Sequence, residues 1–248
     1  MSRWASWWRM YTPDDHVPQL EPFVDEQLWV AKAPQRFYGI PMGTRMTVAR
    51  LPNGRLWVHS PIPLDVVGSK VKADLDALGD VAFAVAPNFI HHLYMAPFME
   101  AYPNVRLWVS PKLETKRSDL PFEGVLDDEP PADTWGDTFD QAVCRGSTHM
   151  DEVVFFHKDS KTLVLCDLLE CVHHTAPWGW RLVGKLAGIY ERPAPPVDMR
   201  ATFRDKPAAR AFVDRVLDWD IQRIILSHGN LIDTDAKDTF ARAYGFLH

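Results

Sequence analysis

Four histidines and one aspartate in this chain have the residue types and the spacing for metal chemistry: His91, His92, His149, His228 and Asp167. Imidazole nitrogen and carboxylate oxygen are ligands for zinc, iron or manganese. Three of these positions follow short apolar runs. VAFAVA (81–86) leads through Pro87-Asn88 to His91-His92, TLVLC (162–166) leads to Asp167, and RIILS (223–227) leads to His228-Gly229. Strand ends in a compact domain bring distant sequence positions to one edge, rigid enough to hold ligands, with loops that leave room for substrate. A zinc held by three such groups keeps a position for water and lowers that water's pKa to ~7, giving metal-bound hydroxide at neutral pH. A carboxylate buried at a strand end is costly without a cation or donors beside it, which adds weight to Asp167.

The other histidines read differently. His173-His174 is a second adjacent pair, but no strand precedes it. His157 alternates into a strand beside Lys158 and is read as exposed. His59 closes a strand before Ser60-Pro61 and either supports the site or is structural. His16 and His248 lie near the ends. The three cysteines, Cys144, Cys166 and Cys171, form no Cys-x-x-Cys pair. They read as buried thiols in a reducing compartment, hence a cytoplasmic protein.

The elements that must position these residues are legible in outline. Met46–Leu51 and Leu56–His59 flank Asn53-Gly54, a strong hairpin signal. Apolar spacing predicts a helix over 66–78, capped by Gly79. VAFAVA, apolar throughout, predicts a strand buried on both faces. A helix follows His92 as far as Tyr102, and 106–109 is a strand. The acidic, proline-rich 121–135 reads as a surface loop. Strands follow at 141–145, 153–157, 162–166 and 223–227, with helices over 182–189, 207–219 and 235–244. Trp178-Gly179-Trp180 reads either as a lid or pocket wall, or as a surface-packed loop. Strands in both halves, each half ending in helices, predict two sheets face to face with helices outside.

The 248 residues, 46% hydrophobic and 24% charged, suit a single α/β domain. Residues 1–24 read as an N-terminal arm and 25–248 as the domain. A net charge of −6 argues against nucleic acid as the main partner, and the sequence shows no apolar stretch of membrane-spanning length. Trp4, Trp7 and Trp8 read as rings packed on the domain or on a partner chain, another copy included, rather than as a membrane anchor.

The order of these elements, from about residue 28 onward, resembles the metallo-β-lactamase fold superfamily. The family's His-x-His-x-Asp-His motif falls on 87–92, where Pro87 and Phe89 replace the leading histidines, His91 replaces the aspartate, and His92 matches the last histidine. His149 matches the histidine of the next turn motif, Asp167 the strand-end aspartate, and His228 the terminal histidine. The fold the resemblance implies is an αββα sandwich of two mixed sheets. Its ligand pattern, with two leading histidines lost, implies one divalent metal ion, zinc by preference with iron the alternative, held by His92, Asp167 and His228. His91 and His149 are the open members of the set, as ligands or as catalytic bases.

Three functions follow from this. The preferred reading is a metal-dependent hydrolase of a small ester, amide, lactone or thioester. The alternatives are a non-haem iron oxidoreductase, with no Gly-x-Gly-x-x-Gly dinucleotide fingerprint, and a non-catalytic binding module on a degenerate hydrolase fold.

Overall fold

The computed structural model describes residues 16–37 and 40–247. The Trp4, Trp7 and Trp8 cluster and His248 lie outside the described residues. Nine strands come first: β1 (Glu21–Val24), β2 (Leu28–Ala33), β3 (Arg36–Phe37), β4 (Ile40–Pro41), β5 (Thr44–Arg50), β6 (Leu56–His59), β7 (Val81–Ala86), β8 (Arg106–Val109) and β9 (Phe122–Val125). All except the small β3–β4 pair join one seven-stranded sheet in the order β1-β2-β5-β6-β7-β8-β9. A second sheet contains β10 (Phe139–Val143), β11 (Val153–His157), β12 (Thr162–Val164) and β13 (Arg223–Ile225), in that order. Both sheets are mixed: β6 to β9 run parallel in the first, as do β12 and β13 in the second.

Alternation along the strands divides the interior into three layers. In β7, Phe83 and Val85 face a core shared with Trp57, Phe139, Phe155, Val164 and Ile225, drawn from both sheets, and with Trp135 of the loop before β10. Ala84 and Ala86 face the opposite way, toward α1 (Val71–Leu78), α2 (Met95–Ala101) and α3 (Leu113–Lys116). The outer face of the second sheet packs on α4 (Trp178–Ala187), α5 (Val197–Arg200), α6 (Lys206–Leu217) and α7 (Ala236–Tyr244). This is the αββα sandwich. It explains why VAFAVA has no polar face, since both of its faces are buried.

Local chemistry sets the element ends. Gly54, at φ 80°, closes the β5–β6 hairpin, where its N–H donates to the Leu51 carbonyl at 2.8 Å. Asp205 caps α6 by accepting from Ala208 N at 3.1 Å, with Pro207 in the first turn.

Several expectations need correction. The loop at 121–135 contains β9, because its Phe122–Val125 stretch pairs with β8. The arm contributes β1, paired antiparallel to β2. The first helix starts at Val71 rather than at 66. His157 is buried, because β11 is an interior strand, and its Nδ1 lies 2.8 Å from the Ser160 hydroxyl.

The buried His157 carries a pH dependence. Burial lowers its pKa to about 4. The unfolded chain takes up a proton near pH ~6.5 and the folded chain only near 4, so stability present above ~6.5 is lost as pH falls toward 4. Urea unfolding between pH 7 and 4 should show the wild type losing on the order of 3 kcal/mol more than His157→Gln. Equal pH slopes for the two proteins would exclude this coupling.

Candidate metal centre

Three strand ends meet at one edge of the sandwich. The turn after β7 carries His91, the segment after β12 carries Asp167, and the segment after β13 carries His228. The sheets are tied there by Val153 N–H, which donates to the Pro87 carbonyl at 2.8 Å. His91 Nε2 lies 3.2 Å from Asp167 Oδ1 and 3.1 Å from His228 Nε2, and His228 Nε2 lies 3.2 Å from the same Oδ1. All three side chains are buried.

Proton bookkeeping shows what this triangle lacks. His228 Nδ1 lies 3.1 Å from the Gly43 carbonyl, which only accepts, so Nδ1 carries the proton and Nε2 of the neutral ring presents a lone pair. His91 Nδ1 sits 2.6 Å from the Ser60 hydroxyl, which can accept its proton in the same way. Two imidazole lone pairs and a carboxylate oxygen then converge, and the arrangement calls for positive charge between them, supplied either by a proton on His91 or by a metal ion. Donors held at 2.0–2.1 Å around a tetrahedral ion stand ~3.3 Å apart, and around an octahedral one ~2.9 Å apart. The observed 3.1–3.2 Å falls between these values.

The electrostatics agree. Burial opposes charge on Asp167, yet His91 and His228 hold its carboxyl well below the usual range. Burial also opposes charge on His91, but Cys166 and Asp167 outweigh it and raise its pKa well above the ordinary value. Burial lowers the pKa of His228. The pocket favours a single positive charge where the three atoms meet.

A buried polar network orients the ligands. Asn88 Oδ1 accepts from Ile90 N and His91 N, both at 2.8 Å, and so fixes the turn that carries His91. Its Nδ2 donates to Asp167 Oδ2 at 2.9 Å and to Glu152 Oε2 at 2.7 Å. Glu152 also accepts from Cys166 N at 2.7 Å and Asp167 N at 2.8 Å. Burial pushes the Glu152 carboxyl above the usual range, while these donated bonds favour its charged form. Arg45, also buried, donates to the Leu226 carbonyl and, at 2.9 Å, to the Gly229 carbonyl, bracketing His228. Sequence reasoning missed Asn88, Glu152, Ser60 and Arg45. Asn88 alone had a local signal, an Asx residue opening a turn. An acid before a strand or an arginine within one ordinarily faces water.

The remaining expected residues lie elsewhere. His92 stands outside the triangle, its Nδ1 2.9 Å from an Arg117 nitrogen. Burial, with the charges of Lys116 and Arg117, lowers its pKa to about 4. The exposed His149 packs edge-on against Phe89, ring centroids 5.0 Å apart, and is not brought to the triangle. His59 is buried between Trp57 and Phe155, its Nε2 without a hydrogen-bond partner among the described residues. His173, His174 and Glu191 form a second, more exposed group. There Thr175 N–H donates to His173 Nδ1 at 3.4 Å, which leaves the proton on Nε2, facing Glu191 Oε2 at 3.8 Å. The group is held together around Glu191, whose Oε1 also accepts from His174 N–H. Trp178-Gly179-Trp180 opens α4, with Trp180 buried beneath the helix and Trp178 exposed.

These placements give a direct prediction. His92→Ala and His149→Ala should keep the wild-type metal-to-protein ratio, whereas His91→Ala should lose it. Elemental analysis of the three variants checks this, and loss of metal from His92→Ala would restore His92 to the ligand set.

The sequence matches, over residues 25–186, the family described as "Domain of unknown function (DUF4336)". The chain belongs to that family. In this DUF4336 chain the matched span includes His91, His149 and Asp167 and stops short of His228. No curated protein matches the sequence. Solved structures with a similar fold include a metallo-β-lactamase from Pontibacter korlensis, at 12% identity and a TM-score of 0.60, covering 91% of this chain and 98% of that one. The DIM-1 metallo-β-lactamase exposed to ceftazidime has 12% identity and a TM-score of 0.63, covering 94% and 99%. A flavo-diiron protein variant from Thermotoga maritima has 12% identity and a TM-score of 0.63, covering 93% of this chain but 62% of that longer one. These similarities establish the metallo-β-lactamase fold.

Proposed function

We propose that this chain is a metal-dependent hydrolase of a small ester, amide, lactone or thioester, with one divalent ion, zinc by preference, held by His91, Asp167 and His228. The observation that carries the reading is the buried triangle of His91 Nε2, Asp167 Oδ1 and His228 Nε2, with its atoms 3.1–3.2 Å apart. Such an ion, when bound, lowers the pKa of a water to ~7 and polarises a carbonyl. The chain's own residues supply the rest. Ser60 and the Gly43 carbonyl hold the two imidazoles, and Asn88 holds the second carboxylate oxygen. With His91 committed as a ligand, His149, exposed and packed on Phe89 of the turn that carries His91, is the remaining candidate for proton transfer. Three free, buried cysteines support a reducing, cytoplasmic setting. Among the described residues no helix is long and apolar enough to cross a membrane.

Two histidines with one carboxylate also match the facial ligand set of non-haem iron, which favours an oxidoreductase as the second reading. The test is turnover of ester, lactone and thioester substrates by zinc-loaded and iron-loaded protein, beside Asp167→Asn. Zinc-dependent hydrolysis lost in the variant is the expected result. A loaded protein with no hydrolysis and a visible iron band selects the second reading, and a protein that takes up neither metal defeats both.

A further inference from the structure

One face of α4 is apolar and uncovered. Trp178, Leu182 and Leu186 recur at i, i+4 and i+8, and are 76%, 51% and 75% exposed. The inner face of the same helix is fully used, with Trp180 buried and Gly184 pressed on Val172. Val197, 50% exposed, extends the patch beside Gly188. Among the described residues the other large exposed apolar side chains, Val17, Val67, Leu93 and Val125, belong to other segments. An amphipathic helix ordinarily hides one stripe, and this one has a second.

Charge indicates what covers it. Arg181 and Lys185 form a row alongside the apolar stripe, and residues 171–190 contain no aspartate or glutamate, in a chain with 33 acidic residues. Of the bounding acids, Glu191 is engaged by His174 at 3.2 Å, and Asp198 follows Val197. A second copy of the chain would bring the same cations and no matching acids to the contact. An anionic surface would bring the missing charge. Tryptophan and leucine on one stripe with arginine and lysine beside it is the pattern of a helix lying in a membrane interface, where rings and aliphatic chains enter the headgroup boundary and the cations stay at its edge.

We propose that α4 docks this protein on an anionic lipid bilayer through Trp178, Leu182 and Leu186, with Arg181 and Lys185 meeting the headgroups. With the chain at −6 overall, binding is oriented by this face and weakened by salt.

Co-sedimentation of the full chain with vesicles tests this, comparing phosphatidylcholine alone with equal parts of phosphatidylcholine and phosphatidylglycerol. Partitioning to the anionic vesicles at low salt is expected. Leu182→Gln with Leu186→Gln, or Arg181→Gln with Lys185→Gln, should reduce it about tenfold, with the unfolding midpoint unchanged as the control on folding. Absence of partitioning overturns the proposal. So does partitioning that both pairs leave intact, which would place the contact elsewhere, for instance in the tryptophan-rich residues 1–10. A concentration-dependent dimer in light scattering that the leucine pair dissolves would assign the face to a second copy instead.

Discussion

Asp167→Ala is expected to purify without metal and to bind added zinc more than ~100-fold more weakly than the wild type. The reason is placement. Asp167 supplies the only carboxylate of the triangle, and its Oδ1 stands 3.2 Å from both imidazoles. Removing it leaves two neutral rings and no charge to offset a dication in a buried pocket. Asp167→Asn keeps the shape and the hydrogen bond from Asp167 N–H to Glu152, so the pair separates lost charge from lost packing. Both variants should lose affinity. Near-wild-type binding by Asp167→Asn would mean that the carboxylate is not a ligand. Wild-type protein should also gain thermal stability on zinc addition and lose it to a chelator, whereas Asp167→Ala should respond to neither.

Trp57→Ala should cost about 3–5 kcal/mol of unfolding free energy. Trp57 is fully buried on β6 in the layer between the sheets. Its ring centroid lies 4.4 Å from Phe139 and 4.9 Å from Phe155, both on the facing sheet. The cavity opens between two rigid sheets that cannot close over it. The loss reaches the site as well, because β6 ends at His59 and hands the chain to Ser60, which fixes the His91 ring. Urea unfolding and zinc titration of Trp57→Ala and Trp57→Phe check both effects. A loss below about 1 kcal/mol for the alanine variant would show that the sheets do repack.

The fold was legible because its signals are one-dimensional. VAFAVA, TLVLC and RIILS are largely apolar runs, and each is followed within five residues by a residue of the triangle. The Asn53-Gly54 hairpin and the caps of the late helices are local as well. The misplaced elements depend on partners distant in sequence: β9 exists because β8 offers it an edge, and His157 is buried because β12 covers β11. At the site, His228 and Asp167 were readable from strand ends. The choice between His91 and His92 was not, since neighbouring residues in a turn diverge by an angle that depends on the Asn88 hydrogen bonds. The resemblance favoured His92, and the geometry favours His91, the position where the metallo-β-lactamase motif has an aspartate. Glu152 and Arg45 were invisible for a related reason. Each is polar and buried, and its role exists only once two strand ends meet.

A ligand set that includes His91 fixes where a bound metal must lie. Anomalous X-ray scattering at the zinc and iron edges, from crystals of protein purified without added metal, measures it directly. One peak per chain is expected, bonded to His91 Nε2, Asp167 Oδ1 and His228 Nε2. A peak bonded to His92 or His149, or no peak within reach of the three atoms, would contradict it.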